Sequence, residues 1–386
     1  MRILRVVTRP NVGGPMRQAL ALWHAHRALG VRTLLVVGVC DDDESALPLA
    51  GGGPPLLELD AALRAGRDAD GICVLDALRR RVAPLRDVAA LRALARLIAS
   101  FAPDVVHTHT SKAGWLGRLA AHRRRVPVIA HTFHGLVLSD YAGPFRSWTL
   151  RRIERWFAAR SDLLVAVSES CRAELATLRV ARDVRVIPPA VATAAFARAD
   201  KIAARRALDL PPDALVLGCI GRMVGIKRPA LFAELLTRVP TAIGVALGDG
   251  PERATLRAAA AQLGGRLRIL PTTPDPAAIV AAIDLLVIPS RREGFPIVGV
   301  EAAAAGVPTL GFDVPGVRDL AAACGGPDPA PESEGVPGLA VRVRAFDAAG
   351  RPRLADRAAE LVRACEPARV AEALLEAYEA ALGRST

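Results

Sequence analysis

Residues 284–301 read DLLVIPSRREGFPIVGVE. The run from Leu285 to Ile288 is short, apolar and partly β-branched, as a buried strand of a parallel sheet is, and Pro289 stops it. Gly294 and Pro296 then open an apolar, Ala-rich segment of helical length. Strand, turn and helix make a βα unit, and the pattern recurs along the chain. Apolar runs near residues 2–8, 32–38, 104–108, 127–131 and 162–167 alternate with segments of helical period, clearest over 16–29, 87–101, 111–124 and 146–160. After Pro211-Pro212 a second series sets strands near 214–220, 242–247, 267–270, 284–289 and 307–311. Such alternation predicts an α/β protein with two doubly wound domains.

The length of 386 residues agrees, because it exceeds what one ordinary core holds. The join is expected between 190 and 210, where Pro188-Pro189 ends a strand, giving domains over 1–195 and 196–386. Residues 352–382 read as one or two helices whose apolar stripe packs back on the first domain. Loops are expected at 51–55 (GGGPP) and 325–338, and no solenoid repeat is visible.

Hydrophobic residues make up 52% of the chain and aromatics only 4%, so cores of Ala, Val, Leu and Ile are expected and disorder is excluded. Six scattered cysteines without a C-x-x-C pair suit reduced, buried thiols in a cytoplasmic protein. Charge at Arg2 and Arg5 comes too early for a secretory signal, and no stretch offers the roughly 18 apolar residues of a spanning helix. The formal charge of +12 falls almost wholly within residues 1–190. Nucleic acid is a poor partner for that charge, because no aromatic-basic platform or recognition helix accompanies it.

Open α/β sheets bind ligands at the carboxyl ends of their strands. After the strand at 284–289, Gly294 permits close backbone approach, and a helix starting at Pro296 aims free N–H groups at an anion such as a diphosphate. Glu293 precedes that helix, and Glu301, two turns on, suits vicinal hydroxyls. After the strand at 214–220, Arg222 and Lys227 bracket a glycine loop, an arrangement that holds two adjacent phosphates. Solvated glutamates and a basic surface loop are the plain alternatives. His107, His109, His131 and His134 lie at two strand ends, but no carboxylate stands at ligand spacing beside them, so no metal is expected. His107 and His131 read as structural, and His24 and His26 as surface or packing residues of a helix.

Taken in this order, the segments resemble the donor site of the GT-B glycosyltransferases of family 4. The Glu-x7-Glu signature is met by Glu293 and Glu301, and the Arg-x4-Lys clamp by Arg222 and Lys227. Gly248-Asp249-Gly250-Pro251-Glu252 and Gly13-Gly14 also match, and the resemblance extends over nearly the whole chain. It implies two Rossmann-like domains facing across a cleft and a retaining hexosyl transfer without bound metal. Its donor is a nucleoside-diphosphate sugar, UDP before GDP. By the same resemblance Arg222 and Lys227 hold the diphosphate, Glu301 holds the ribose, and Gly221, Gly248 and Gly250 belong to the donor site. Glu293 and the backbone of Gly294, Phe295, Pro296, Ile297 and Val298 hold sugar and phosphates. Gly13 and Gly14 bring the first loop close, and His134, with His109 second, faces the donor sugar or its phosphate.

Two departures touch the pattern: Pro188-Pro189-Ala190 stands where the family often has Pro-Asn-Gly, and Asp319 where Glu is common. The Thr110 to Gly114 segment is similar to that of enzymes building bacterial surface polysaccharides on lipid carriers. A lipid-diphosphate-linked acceptor and an anionic membrane surface, met by the arginines at 79–81, 123–125 and 151–155, are therefore the expected partners of a cytoplasmic, peripheral protein, with solvated helix faces the plain alternative for those arginines. The competing readings are a nucleotide-sugar epimerase of the same fold and a non-catalytic sugar-nucleotide or membrane-binding protein.

Overall fold

The structure is a computed structural model that describes residues 1–41, 46–47, 71–135, 144–273, 275–354 and 356–385; the turn expected at 51–55 lies outside them. The chain divides into two compact units, Met1–Ala190 with Pro367–Thr386, and Val191–Glu366. The division thus falls directly after Pro188-Pro189, ahead of residue 195, and the end of the chain belongs to the first unit.

Among the described residues the first unit is built on seven parallel strands: β1 (Arg2–Val7), β2 (Arg32–Val37), β3 (Gly71–Val74), β4 (Val105–His109), β5 (Val128–Phe133), β6 (Leu163–Ala166) and β7 (Arg185–Val186). Their order is β3-β2-β1-β4-β5-β6-β7, so the winding reverses between β1 and β4. Strand β3 was not expected; four residues are too few for an apolar period to stand out. The helix Pro367–Ser385 buries Val370, Ala371, Leu374, Tyr378 and Ala381 with Leu22, Val105 and Val128. Residues 352–382 form two helices because Pro367, which cannot continue a helix, starts a new one after Asp356–Ala364.

The second unit holds five parallel strands, β8 (Leu215–Ile220), β9 (Ala242–Leu247), β10 (Leu267–Leu270), β11 (Leu285–Ile288) and β12 (Thr309–Gly311), in the order β10-β9-β8-β11-β12. Here the reversal lies between β8 and β11. Val216, Leu217, Val245, Leu286, Phe232 and Val280 are central to its apolar core. The loop expected over 325–338 is corrected: a helix, Gly335–Ala348, starts inside it. Pro337 falls in the first turn, where a missing N–H is harmless, and Val336, Leu339 and Val343 are buried.

Candidate functional site

The carboxyl ends of β8 and β11, at the winding reversal of the second sheet, carry the two segments singled out in the sequence. After β8 the chain turns at Gly221, whose φ of 145° belongs to glycine. A short 3-10 turn, Gly225–Lys227, then leads to Arg228 in the left-handed conformation at φ 48°. Arg228 donates from Nε to the Pro289 carbonyl at 2.7 Å and from Nη2 to that of Ser290 at 3.0 Å. The Arg291 N–H donates to the Ile226 carbonyl at 2.9 Å. These bonds stitch the loop after β8 to the loop after β11, and so Lys227 Nζ meets Glu293 Oε1 at 2.5 Å. The lysine side chain is 31% exposed and the carboxylate 8%. Arg222 is half-buried in the same loop.

Beyond Glu293 the helix Ile297–Ala304 begins with Pro296 as its N-cap, and no side chain caps it. Its first N–H groups and dipole therefore suit an anion. Gly316 packs on Gly294, where an added Cβ would lie 2.7 Å from the Gly294 carbonyl. Pro296 and Ile297 are buried and Phe295 packs among apolar neighbours, so the chain's own core takes these side chains. Val298 stays half-buried. Glu301 is 1% exposed, deep behind the helix start.

Gly248 and Gly250 are explained by the protein itself. Both have positive φ, and a Cβ on them would lie 2.0 Å from the Gly221 carbonyl oxygen and 2.3 Å from that of Met223. They let the loop after β9 press against the loop after β8. Asp249 carries that contact further: its backbone carbonyl accepts from the Met223 N–H at 2.8 Å. The Thr272 backbone N–H, aided by Arg253, holds its carboxyl below the usual range.

In the first unit the histidines do not share one surface. His109 and His107, two positions apart on β4, face the same way, are fully buried and stack with ring centroids 4.6 Å apart. His131 faces the opposite way, bonded to Thr108 Oγ1 at 2.8 Å, in space left by Gly114, where a Cβ would lie 2.7 Å from its Cε1. His134 alone of the four is half-buried, with Nε2 at 2.9 Å from His109 Nδ1. The expected second contact, His109, thus has no exposed surface: Arg5 holds its Nε2 at 2.9 Å and His134 its other nitrogen. Burial and Arg5 push the His134 pKa down to about 3. Gly13 caps the helix Gly14–Ala28 in extended backbone, and a Cβ there would meet only the Asn11 side chain at 3.4 Å, so neither conformation nor crowding demands a glycine. Lys112, in the Thr110 to Gly114 segment, is held by Asp87 at 2.5 Å.

Two residues escaped the sequence reading. Arg228 differs locally in nothing from its neighbours. Arg5 did leave a signal, a lone charge inside the apolar strand RILRVV.

A family profile described as Glycosyltransferase Family 4 matches residues 12–195, and one described as Glycosyl transferases group 1 matches residues 200–324. The chain is 31% identical over 313 residues to a D-inositol 3-phosphate glycosyltransferase of Nocardia farcinica, covering 72% of this chain and 67% of that protein. It is 28% identical over 256 residues to the UDP-Gal:alpha-D-GlcNAc-diphosphoundecaprenol alpha-1,3-galactosyltransferase of Escherichia coli, covering 62% of this chain and 65% of the relative. The chain thus matches about two thirds of the length of each. Among solved structures, sucrose-phosphate synthase of Thermosynechococcus elongatus has the same fold, with a TM-score of 0.77 at 19% identity over 100% of both chains.

Proposed function

The chain belongs to the family 4, group 1 glycosyltransferases, and from that premise we propose that it moves a hexosyl group from a nucleoside-diphosphate sugar to an acceptor hydroxyl with retention at the anomeric carbon. The observation that carries this reading is the Lys227–Glu293 pair beside the uncapped start of the helix Ile297–Ala304, at the winding reversal of the second sheet. A cation and a helix N-terminus are two devices by which proteins hold a diphosphate.

Arg222, Lys227 and the helix start are assigned the diphosphate, with Gly221, Gly248 and Gly250 shaping the loops around it. Glu301 is assigned the ribose, and Glu293 with the 294–298 backbone the sugar. His134 in the first unit is assigned the donor sugar or its phosphate. As the bond from the anomeric carbon to the diphosphate oxygen breaks, charge grows on that oxygen, and the cations and N–H groups stabilise it. The same oxygen accepts the proton of the attacking hydroxyl. Glu293 is no nucleophile in this scheme, in keeping with the lysine already held against its Oε1. No metal takes part.

Uridine is the proposed base and a lipid-diphosphate sugar the proposed acceptor; both are supported by the substrates named for the Escherichia coli relative. A peripheral, cytoplasmic location on an anionic membrane fits the basic first unit, where Trp148 and Trp156 are exposed with Arg152 and Arg160 against their rings. Among the described residues no helix is long and apolar enough to cross a membrane.

Thermal unfolding with UDP, GDP and ADP tests the donor site. At about 100 times Kd a nucleotide adds about 2.7 kcal/mol, and Lys227→Ala should lose most of the UDP shift. A shift with none of the three would overturn the proposal.

A further inference from the structure

Arg5 is a fully buried guanidinium in the middle of β1, and no carboxylate pairs with it among the described residues. A desolvated cation without a counter-ion is a poor stability device, so its partners are informative. They are three imidazoles and the Tyr378 hydroxyl, which also bonds the guanidinium. Nη1 lies 2.9 Å from His109 Nε2 and 3.3 Å from His107 Nδ1, and Nη2 lies 3.4 Å from His26 Nδ1. Arginine only donates and stays protonated, so each of these nitrogens accepts.

The consequence runs outward along one branch. With Nε2 accepting from Arg5, neutral His109 carries its proton on Nδ1. That N–H points at His134 Nε2, 2.9 Å away, which accepts in turn. His134 therefore carries its single proton on Nδ1, where no described residue bonds it. We infer that Arg5, acting through His109, fixes His134 as a neutral imidazole that offers its Nδ1–H to the substrate, as a hydrogen-bond donor and not as an acid, base or cation. The substrate role rests on the function proposed above; the tautomer does not.

The arrangement excludes the other protonation states. A proton on His134 Nε2 would face the Nδ1–H of His109, and His109 has no freedom to shift that proton to Nε2 while Arg5 donates there. The second branch holds Arg5 in place: the Tyr378 hydroxyl, from the last helix, accepts from Arg5 and donates to His107 Nδ1, and His107 Nε2 donates to Thr132 Oγ1 at 2.7 Å. Burial, with Arg5 next in effect, keeps His134 neutral down to about pH 3. A neutral, preset N–H suits a phosphate or sugar oxygen that gains charge, because it stabilises that charge without passing on its proton. Arg5 and His109 are then positioning residues.

The test is side-chain nitrogen NMR of the full chain labelled with 15N-histidine, with His134 and His109 assigned through His134→Asn and His109→Gln. Both rings should show a protonated Nδ1 and a bare Nε2, unchanged from pH 7.5 to 5.5. An Nε2–H tautomer or an imidazolium at His134 would overturn the inference, whatever the enzyme's activity. In Arg5→Met the His134 signals should become a tautomer mixture; if that variant does not fold, Arg5→Lys, whose ammonium still donates to His109 Nε2, should keep the wild-type pattern, and a tautomer mixture there would overturn the inference. For the substrate role, turnover should fall by about 10²-fold in His134→Ala. His134→Asn, whose amide N–H sits near the place of Nδ1–H, should recover most of it. Equal rates in wild type and His134→Ala would remove that role, while the nucleotide shifts that depend on Lys227 would be untouched.

Discussion

Lys227 and Glu293 stand 66 positions apart in the chain, yet their side chains meet at 2.5 Å. β8 and β11 are neighbours in the sheet, and Arg228 ties the loops that follow them through the carbonyls of Pro289 and Ser290. The pair keeps a cation poised where a diphosphate is proposed to bind and satisfies a mostly buried carboxylate in the meantime.

Lys227→Ala should lower turnover by about 10² to 10³, the usual effect of removing a group that stabilises growing anionic charge. Steady-state rates with a UDP-sugar measure it; an unchanged kcat would withdraw Lys227 from the reaction.

Arg228→Ala should destabilise the second unit by about 1.5 to 3 kcal/mol, because charge-assisted bonds to two loop carbonyls are lost. KM for the donor should rise with it, since the bonds hold Lys227 in place. A urea titration together with KM decides, and a variant normal in both would show that the stitching is dispensable.

Gly248→Ala should be far more damaging than Gly221→Ala. Both residues have φ of 145°, a strain of about 1 to 3 kcal/mol for an alanine. Only at Gly248 does a Cβ also meet a backbone oxygen, at 2.0 Å, while Gly221 faces open space. Equal denaturation midpoints for the two variants would contradict this account.

Glu154→Ala should cost about 3 to 5 kcal/mol, the range seen when one partner of a buried ion pair is removed. Glu154 accepts from Arg118 Nη2 at 2.5 Å and from Trp115 Nε1 at 2.8 Å, and both charged side chains are buried. A melting temperature unchanged from wild type would refute it.

Stability should fall as pH drops below about 6.5. His26, His107, His109 and His131 have folded pKa values lowered mainly by burial, to about 3 for His26. The unfolded chain therefore takes up protons that the folded one refuses; the stability is complete above the unfolded pKa and is lost toward the folded one. Between pH 7.5 and 5.5 each such histidine should remove about 1 kcal/mol, and His26→Gln should flatten the slope. Urea midpoints at the two pH values test it, and a flat profile would mean that these rings take up protons in the fold as readily as in the unfolded chain.

Much of this protein is local and was legible without coordinates. The βα alternation, the Arg222 to Lys227 loop and the Glu293 to Glu301 segment each fit within one strand, turn and helix, where period and turn chemistry act over a few residues. Tertiary structure alone decided the rest. Strand β3 is too short to announce itself, and the helix from Gly335 starts among residues of loop composition. Gly248 and Gly250 are glycines because a neighbouring loop's backbone lies against them. Which histidine remains half-exposed, and which nitrogen of each ring accepts, follows from β1 lying beside β4 with Arg5 next to His107, and from Tyr378 arriving 271 positions later. Strand register and helix docking are long-range outcomes of burying apolar faces, so no local pattern of residues encodes them.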